Sequence, residues 1–328
     1  MGGAVMKKRA GFLLSALLAL MALAALIISP VPAAEAARGG IELCLKTIVP
    51  SLFPFMVLGT MISELGITQR VSRILSPVTK RLFGVSGACC TPFLLGLCGG
   101  YPLGSVSAAQ LYKNGNISKQ EAERLLGFCD NTGPAFIIGV AGGAVFQSAA
   151  VGLFLYGAHI FSAVLTGMLL SWRRGSYGDA PVPELKSQSL PSAFSGSVRR
   201  CVSTCAAVCG FVVFFSVVIG LLTAHGTLPA LVGRLSYSFG LELHFVQSLV
   251  IGLLELGGGI SSMAGLSASA ASLALCSFIL AFGGLSVHAQ AFSVIAEGGL
   301  SSARHLFGKL LHGGLSALVT LIAYPLFF

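Results

Sequence analysis

Apolar residues along this chain come in long blocks and rarely alternate with polar ones. Stretches at 10–29, 44–63, 125–147, 149–171, 203–223, 271–295 and 307–327 each approach or exceed the roughly 20 residues needed to cross bilayer hydrocarbon. Backbone polar groups in lipid must be satisfied within the segment, so such runs predict spanning helices. Two more apolar segments, 86–110 and 244–268, are cut by glycine or proline and read as re-entrant hairpins that enter and leave on one side. The longest polar stretch, Trp172 to Arg200, holds Pro181, Pro183 and Pro191 and reads as a linker.

Composition agrees: 55% of the 328 residues are hydrophobic and 9% charged, against about 25% charged in a soluble domain. The expectation is therefore one all-α, polytopic membrane protein with the lipid bilayer as its main partner. The first 40 residues hold Lys7, Lys8 and Arg9 before an apolar run ending near Pro30, with alanine pairs following. These flanks are signal-like, but the run is longer than the 7–15 residues of a signal h-region, so it reads as a retained N-terminal membrane span, 1–40. The net charge of +9 is spread along the chain with no basic–aromatic patch, which speaks for the positive-inside rule and against nucleic acid. Of the nine cysteines none forms a CxxC pair, and Cys201, Cys205 and Cys209 share a helix face as small packing residues, so no metal site is expected. No HExxH, GxSxG or GxxxxGK[ST] pattern occurs, so no enzyme and no cofactor is expected.

Aligned with itself, the chain carries a weak duplication. Phe53-Pro54-Phe55-Met56-Val57-Leu58-Gly59 matches Phe214-Phe215-Ser216-Val217-Val218-Ile219-Gly220, Gly66 matches Gly226, and Arg73-Ile74 matches Arg234-Leu235. Phe83-Gly84-Val85 matches Phe239-Gly240-Leu241, and Ser162-Ala163-Val164-Leu165-Thr166 matches Ser316-Ala317-Leu318-Val319-Thr320. The order is shared and the offset drifts slowly. Repeat 1 is drawn at 41–171, a cytoplasmic linker at 172–202 and repeat 2 at 203–328. With the N-terminus inside, every Lys and Arg except Arg38, Lys46 and Arg234 falls on inner segments. That bias orients the two units oppositely, as in inverted-repeat transporters.

Four places break the helical pattern: Cys98-Gly99-Gly100-Tyr101-Pro102-Leu103-Gly104, Cys129-Asp130-Asn131-Thr132-Gly133-Pro134, Glu255-Leu256-Gly257-Gly258-Gly259 and Phe282-Gly283-Gly284-Leu285-Ser286-Val287-His288. Two fall in hairpins and two interrupt spans. Corresponding breaks in two halves are the best sequence pointer to a transport site, where freed amides at half-helix N-termini attract an anion. A charged residue at mid-membrane costs about 2.5–3.5 kcal/mol on insertion scales, so Asp130 and Glu255 are expected to face protein or water and are candidates for ion coupling. Ser286 and His288 are candidate ligands or proton carriers. Gly96, Gly100 and Gly104 also form a ridge of small residues that would let helices pack closely. His159 and His312 lie in matching spans and read as helix–helix hydrogen-bond partners.

These motifs resemble a known family. Val49-Pro50-Ser51-Leu52-Phe53-Pro54-Phe55, the segment 98–104, Asn116-Ile117-Ser118-Lys119-Gln120-Glu121-Ala122-Glu123-Arg124-Leu125-Leu126, Asn131-Thr132-Gly133-Pro134 and the segment 282–288 are similar to the YlbJ (SpoVV) sporulation integral membrane proteins. That family carries the nucleoside-recognition Gate domain, also found in spore maturation proteins and related to concentrative nucleoside transporters. The resemblance covers roughly 41–328 and implies a nucleoside-transporter-like fold. It also implies a cargo, dipicolinic acid, moved across the outer forespore membrane; a bacterial cell membrane is the wider expectation. Substrate contact is carried over to Gly99, Gly100, Tyr101, Gly104, Asp130, Asn131, Thr132, Gly133, Gly283, Gly284, Ser286 and His288. Asp130 is awkward for an anion: it stays protonated, binds a coupling cation or holds a helix end. An ion-coupled nucleoside carrier and a non-transporting assembly partner are the alternatives, and self-association is compatible with any of them.

Overall fold

A computed structural model of the chain describes residues 2–172 and 188–328. Arg173, Arg174, Pro181, Pro183 and Lys186 of the expected linker lie outside the described residues. In chain order the helices are α1 (Gly2–Ile28), α2 (Pro30–Leu43), α3 (Val49–Glu64), α4 (Ile67–Phe83), α5 (Cys90–Gly99), α6 (Leu103–Lys113), α7 (Lys119–Leu125) and α8 (Ala149–Ser171). They continue with α9 (Leu190–Ala224), α10 (Thr227–Phe239), α11 (Leu243–Leu254), α12 (Leu256–Ser261), α13 (Ala270–Phe282), α14 (Gly284–Glu297) and α15 (Ala303–Phe327). π-helical turns at Cys44–Ile48 join α2 to α3, and a π-helical segment, Ala135–Val145, precedes α8. The described residues contain no strand.

Five helices among the described residues are long and apolar enough to cross a membrane, Pro30–Glu64, Ala149–Ser171, Leu190–Ala224, Ala270–Glu297 and Ala303–Phe327, and the bent pair α4–α5 makes a sixth if counted as one span. The seven expected spans differ from these in two places. The stretch 125–147 is not one continuous helix: it unwinds from the end of α7 to Pro134 and then coils as the short π-helical segment. The apolar run at 10–29 forms α1, which ends at Ile28; Pro30 then opens α2 in its first turn, where its missing amide costs nothing, and from there helix runs on through the π turns to Glu64. The boundary drawn at residue 40 thus falls inside a helix packed on α9, where Gly40 lies against Val213 and Ser216. Residues 190–202 of the expected linker are the first turns of α9.

Two helices bury polar stripes. α4 buries Thr68, Gln69, Ser72 and Thr79, and its outward face carries Ile67, Ile74 and Val78 together with Arg70, Arg73 and Arg81. α15 buries His305, Lys309, His312, Ser316 and Thr320 and turns Phe307, Leu310, Leu318, Leu321 and Ile322 out. Where the solvent is hydrocarbon, apolar side chains belong outside, and polar ones find partners within the bundle. The chain is an integral, multi-pass membrane protein.

The glycines singled out in the two halves sit at helix ends. Gly66 and Gly84 flank α4 in the left-handed conformation, at φ 75° and 58°, and Gly226 and Gly240 flank α10 likewise, at 72° and 64°. A pair of helices with a break between them follows each: α5/α6 around Gly100-Tyr101-Pro102, and α11/α12 around Glu255. A broken span comes next in both cases, opened at Asp130–Gly133 and at Gly283. The motif at 116–126 is structural: Ser118 and Glu121 form a capping box on α7, Glu121 also accepts from the Ser86 amide at 2.9 Å, and Arg124 donates to the Gly84 carbonyl at 2.9 Å.

Candidate functional site

Glycine lets the four breaks meet in the middle of the bundle. Gly100 (φ 80°) has the Gly133 amide 3.2 Å from where a Cβ would stand. Gly283 (φ 91°) lies against the Tyr101 phenol, and Gly284 (φ 75°) against the Gly252 carbonyl and the Glu255 amide. Gly96 and Gly104 both close on the Cys129 carbonyl, so the small-residue ridge serves to seat hairpin α5/α6 on the unwound chain. Tyr101 crosses from the first break to the fourth, its hydroxyl donating to the Ala281 carbonyl at 3.1 Å. Thr132 does the same from the second, donating to the Leu280 carbonyl at 2.6 Å.

Around this junction is a narrow cavity to which all four breaks contribute: Tyr101, Thr132 and Gly133, Glu255 to Gly257, and Ser286. Gln290 of α14 completes its polar lining. Ile48, Leu52, Phe136, Val208, Val212 and Val287 supply most of the rest. An apolar cleft with a few placed polar groups is the usual form of a small-molecule site. Two of those groups, Ser286 Oγ and Gln290 Oε1, are buried and have no hydrogen-bond partner.

The remaining predicted residues sit behind the cavity wall. Gly99, Gly100, Gly104, Gly283 and Gly284 pack break against break. The Asp130 carboxylate accepts from the Ser105 amide at 2.8 Å and from the Ser105 hydroxyl, which places it on the first turn of α6. Of the three roles open to Asp130, holding a helix end is the one its contacts describe. Asn131 donates to the Phe128 carbonyl at 3.1 Å, away from the cavity. His288 faces Phe282 and His305, its Nδ1 3.3 Å from His305 Nε2. Glu255 does line the cavity, and its carboxylate accepts from the Gly257 and Gly258 amides at 2.8 and 2.5 Å, capping α12.

The largest surprise is Lys309. As an inner-side charge it was expected at a membrane face, but it is 0% exposed. Its Nζ donates to the Asp130 carbonyl at 2.7 Å, lies 3.3 Å from His312 Nδ1 and stands 4.8 Å above the Tyr101 ring centre. Arg124, also counted as an inner-side charge, is buried too. His305 Nδ1 is 3.7 Å from the Asp130 carboxylate. His312 and His159 are helix–helix partners as expected, with His312 Nε2 3.2 Å from the His159 carbonyl. The spacing His305, Lys309, His312, at i, i+4 and i+7, puts all three on one face of α15; that periodicity was the available signal.

A second, wider recess lies beside Glu64, Gln69, Gln110, Asn116, Arg200 and Thr204, with Arg200 paired to Glu64. Leu95 and Leu103 of its wall pack with Met56 and with Leu52 of the cavity wall, so one apolar cluster separates the two spaces.

Comparison with known proteins agrees with the resemblance read from the motifs. Residues 45–171 match the family model Gate, nucleoside recognition. The chain is similar to the sporulation integral membrane protein YlbJ of Bacillus subtilis (strain 168), 28% identical over 301 residues that cover 83% of this chain and 72% of that protein. Among solved structures it is similar to CNTnw in an outward-facing state, with a TM-score of 0.45 and 14% identity, covering 94% of this chain and 86% of that one.

Proposed function

We propose that this chain is a transporter, not an enzyme, which carries a small planar heterocycle through alternating access of two inverted units. The observation that carries the reading is the meeting of all four helix breaks around one cavity. A scaffold has no use for unwound backbone at membrane depth, whereas a transport site requires it. Cargo binds between Tyr101, Thr132, Gly133, Ser286 and Gln290, and the cluster of Leu52, Met56 and Leu103 forms the barrier between cavity and recess. The similarity to a sporulation membrane protein favours dipicolinic acid as cargo and the outer forespore membrane as its place.

One observation favours a second cargo. Among the described residues that line the cavity there is no Lys, Arg or His, and there is one carboxylate, Glu255. A nucleoside, neutral and rich in hydroxyl donors, suits that lining better than a dianion does. The test is uptake of labelled dipicolinate and labelled uridine, in parallel, into vesicles holding the purified protein. Saturable dipicolinate uptake, suppressed by unlabelled dipicolinate, supports the first reading. Uridine uptake alone replaces the cargo, and no uptake of either by folded protein refutes the proposal.

A further inference from the structure

Carbonyls released by a broken helix are where many transporters hold their coupling cation. Here the carbonyl of Asp130, in the unwound chain after α7, is already engaged by the Lys309 ammonium at 2.7 Å. We propose that Lys309 is a tethered cation standing where a coupling metal ion would bind, and that this chain is driven by protons exchanged at Lys309 and is indifferent to sodium. The inference rests on the transport reading above and adds the coupling to it.

The setting is that of a cation site. A carbonyl oxygen, an imidazole nitrogen and the face of an aromatic ring all meet the ammonium, and each attracts positive charge. An isolated ammonium away from water is costly unless it is so paired. The groups around it are Cys129 and Asp130 of the unwound chain, His159 of α8, His288 of α14, Tyr101 of the hairpin, and His305 and His312 of α15. Both ends of this network reach the cavity wall. Tyr101 lines the cavity and carries the ammonium over its ring. His159 Nε2 accepts from the amide of Thr132, another lining residue, at 3.3 Å. Cargo that shifts Tyr101 or Thr132 therefore changes the surroundings of Lys309.

The proton balance is simple. The loaded group is the ammonium; it gives one proton to His312 Nδ1, 3.3 Å away, and stays as a neutral amine that still donates to the Asp130 carbonyl. The imidazolium returns to neutral by releasing that proton to water on one side of the membrane, and one proton taken up from the other side restores the ammonium, so each cycle moves one proton.

The experiment uses the full-length protein in vesicles with labelled dipicolinate and labelled uridine. Counterflow without ion gradients comes first, and its absence for both cargoes refutes the transport reading. Where counterflow is present, an imposed pH gradient is expected to drive accumulation, and exchanging choline for sodium is expected to change nothing. Lys309→Arg keeps the charge but cannot release a proton, so its exchange should no longer respond to the pH gradient. A purely structural lysine would leave that response in place. Sodium-driven accumulation by the unaltered protein, or a normal pH response in Lys309→Arg, overturns the proposal. A cargo-free measurement stands beside these: thermal unfolding of the purified protein in sodium chloride and in choline chloride. The unaltered chain should unfold alike in both, and Lys309→Ala, its ammonium gone, should be stabilised by sodium. An equal sodium response in the two proteins overturns the tethered-cation assignment.

Discussion

Replacing Ser286 by alanine separates a ligand contact from a structural one. Ser286 is 0% exposed, lines the cavity, and its hydroxyl oxygen has no hydrogen-bond partner. A buried polar group left unpaired costs about 1–3 kcal/mol, and a hydrogen bond to cargo returns about 0.5–1.5 kcal/mol net. Ser286→Ala removes a group that costs the empty protein free energy, so its unfolding temperature should hold or rise. Cargo loses one hydrogen bond, and with tenfold per 1.4 kcal/mol its affinity should fall roughly two- to twelve-fold. The assay pairs the KM for vesicle uptake with thermal unfolding of the detergent-solubilised protein, with and without cargo. Ser277→Ala is the contrast: its hydroxyl is 2.6 Å from that of Thr320, so stability should drop and KM should not move. If Ser286→Ala instead unfolds at a lower temperature with KM unchanged, the serine is structural and the cavity assignment is wrong.

Other substitutions test the frame around the cavity. Asp130→Ala strips the acceptor from the Ser105 amide and hydroxyl and should cost about 1–3 kcal/mol in unfolding free energy, with Asp130→Asn less damaging because one acceptor survives. In Gly104→Ala the new Cβ would stand 2.7 Å from the Asp130 carboxylate and from the Cys129 carbonyl carbon; a loss of about 1–3 kcal/mol in thermal stability is expected. Gly314→Ala on α15, with nothing within 4 Å, should match the unaltered protein in the same measurement.

Glycine and proline act on the backbone where they stand, so the four breaks were legible in the sequence. The same holds for the turns: Gly66, Gly84, Gly226 and Gly240 mark the ends of α4 and α10 because only glycine adopts the left-handed conformation cheaply there. What the sequence hides is direction. Lys309 and Arg124 look like inner-side charges when counted, since a count holds no information on which face of a helix they occupy. The inverse periodicity carried it: His305, Lys309, His312, Ser316 and Thr320 recur every three or four positions on α15 and are buried there, His312 against His159 of α8 and Thr320 against Ser277 of α13. Gln290 fell outside the motif at 282–288 by two residues, and reaches the cavity because it lies one turn after Ser286 on the same face of α14. His288 lay inside that motif and points the other way.

The two carboxylates bear most on cargo. Half-helix N-termini suit an anion through their free amides and dipole. In this chain the N-terminus of α6 already holds the Asp130 carboxylate, and that of α12 holds Glu255. The two hairpins are therefore satisfied from within, one by the neighbouring broken span and the other by its own break residue. What remains open to the cavity is the first turn of α14 at Ser286 and the start of the π-helical segment beside Gly133. One carboxylate of dipicolinate would fit such an end, and the other would then share a largely apolar space with Glu255. A nucleoside would meet the same carboxylate with hydroxyl donors. Glu255→Gln should accordingly help one cargo and harm the other: dipicolinate uptake rises if charge repulsion limits it, and uridine uptake falls if its hydroxyls donate to the carboxylate. A substitution that moved both in the same direction would mean that Glu255 matters only as the cap of α12, and that cargo is chosen elsewhere.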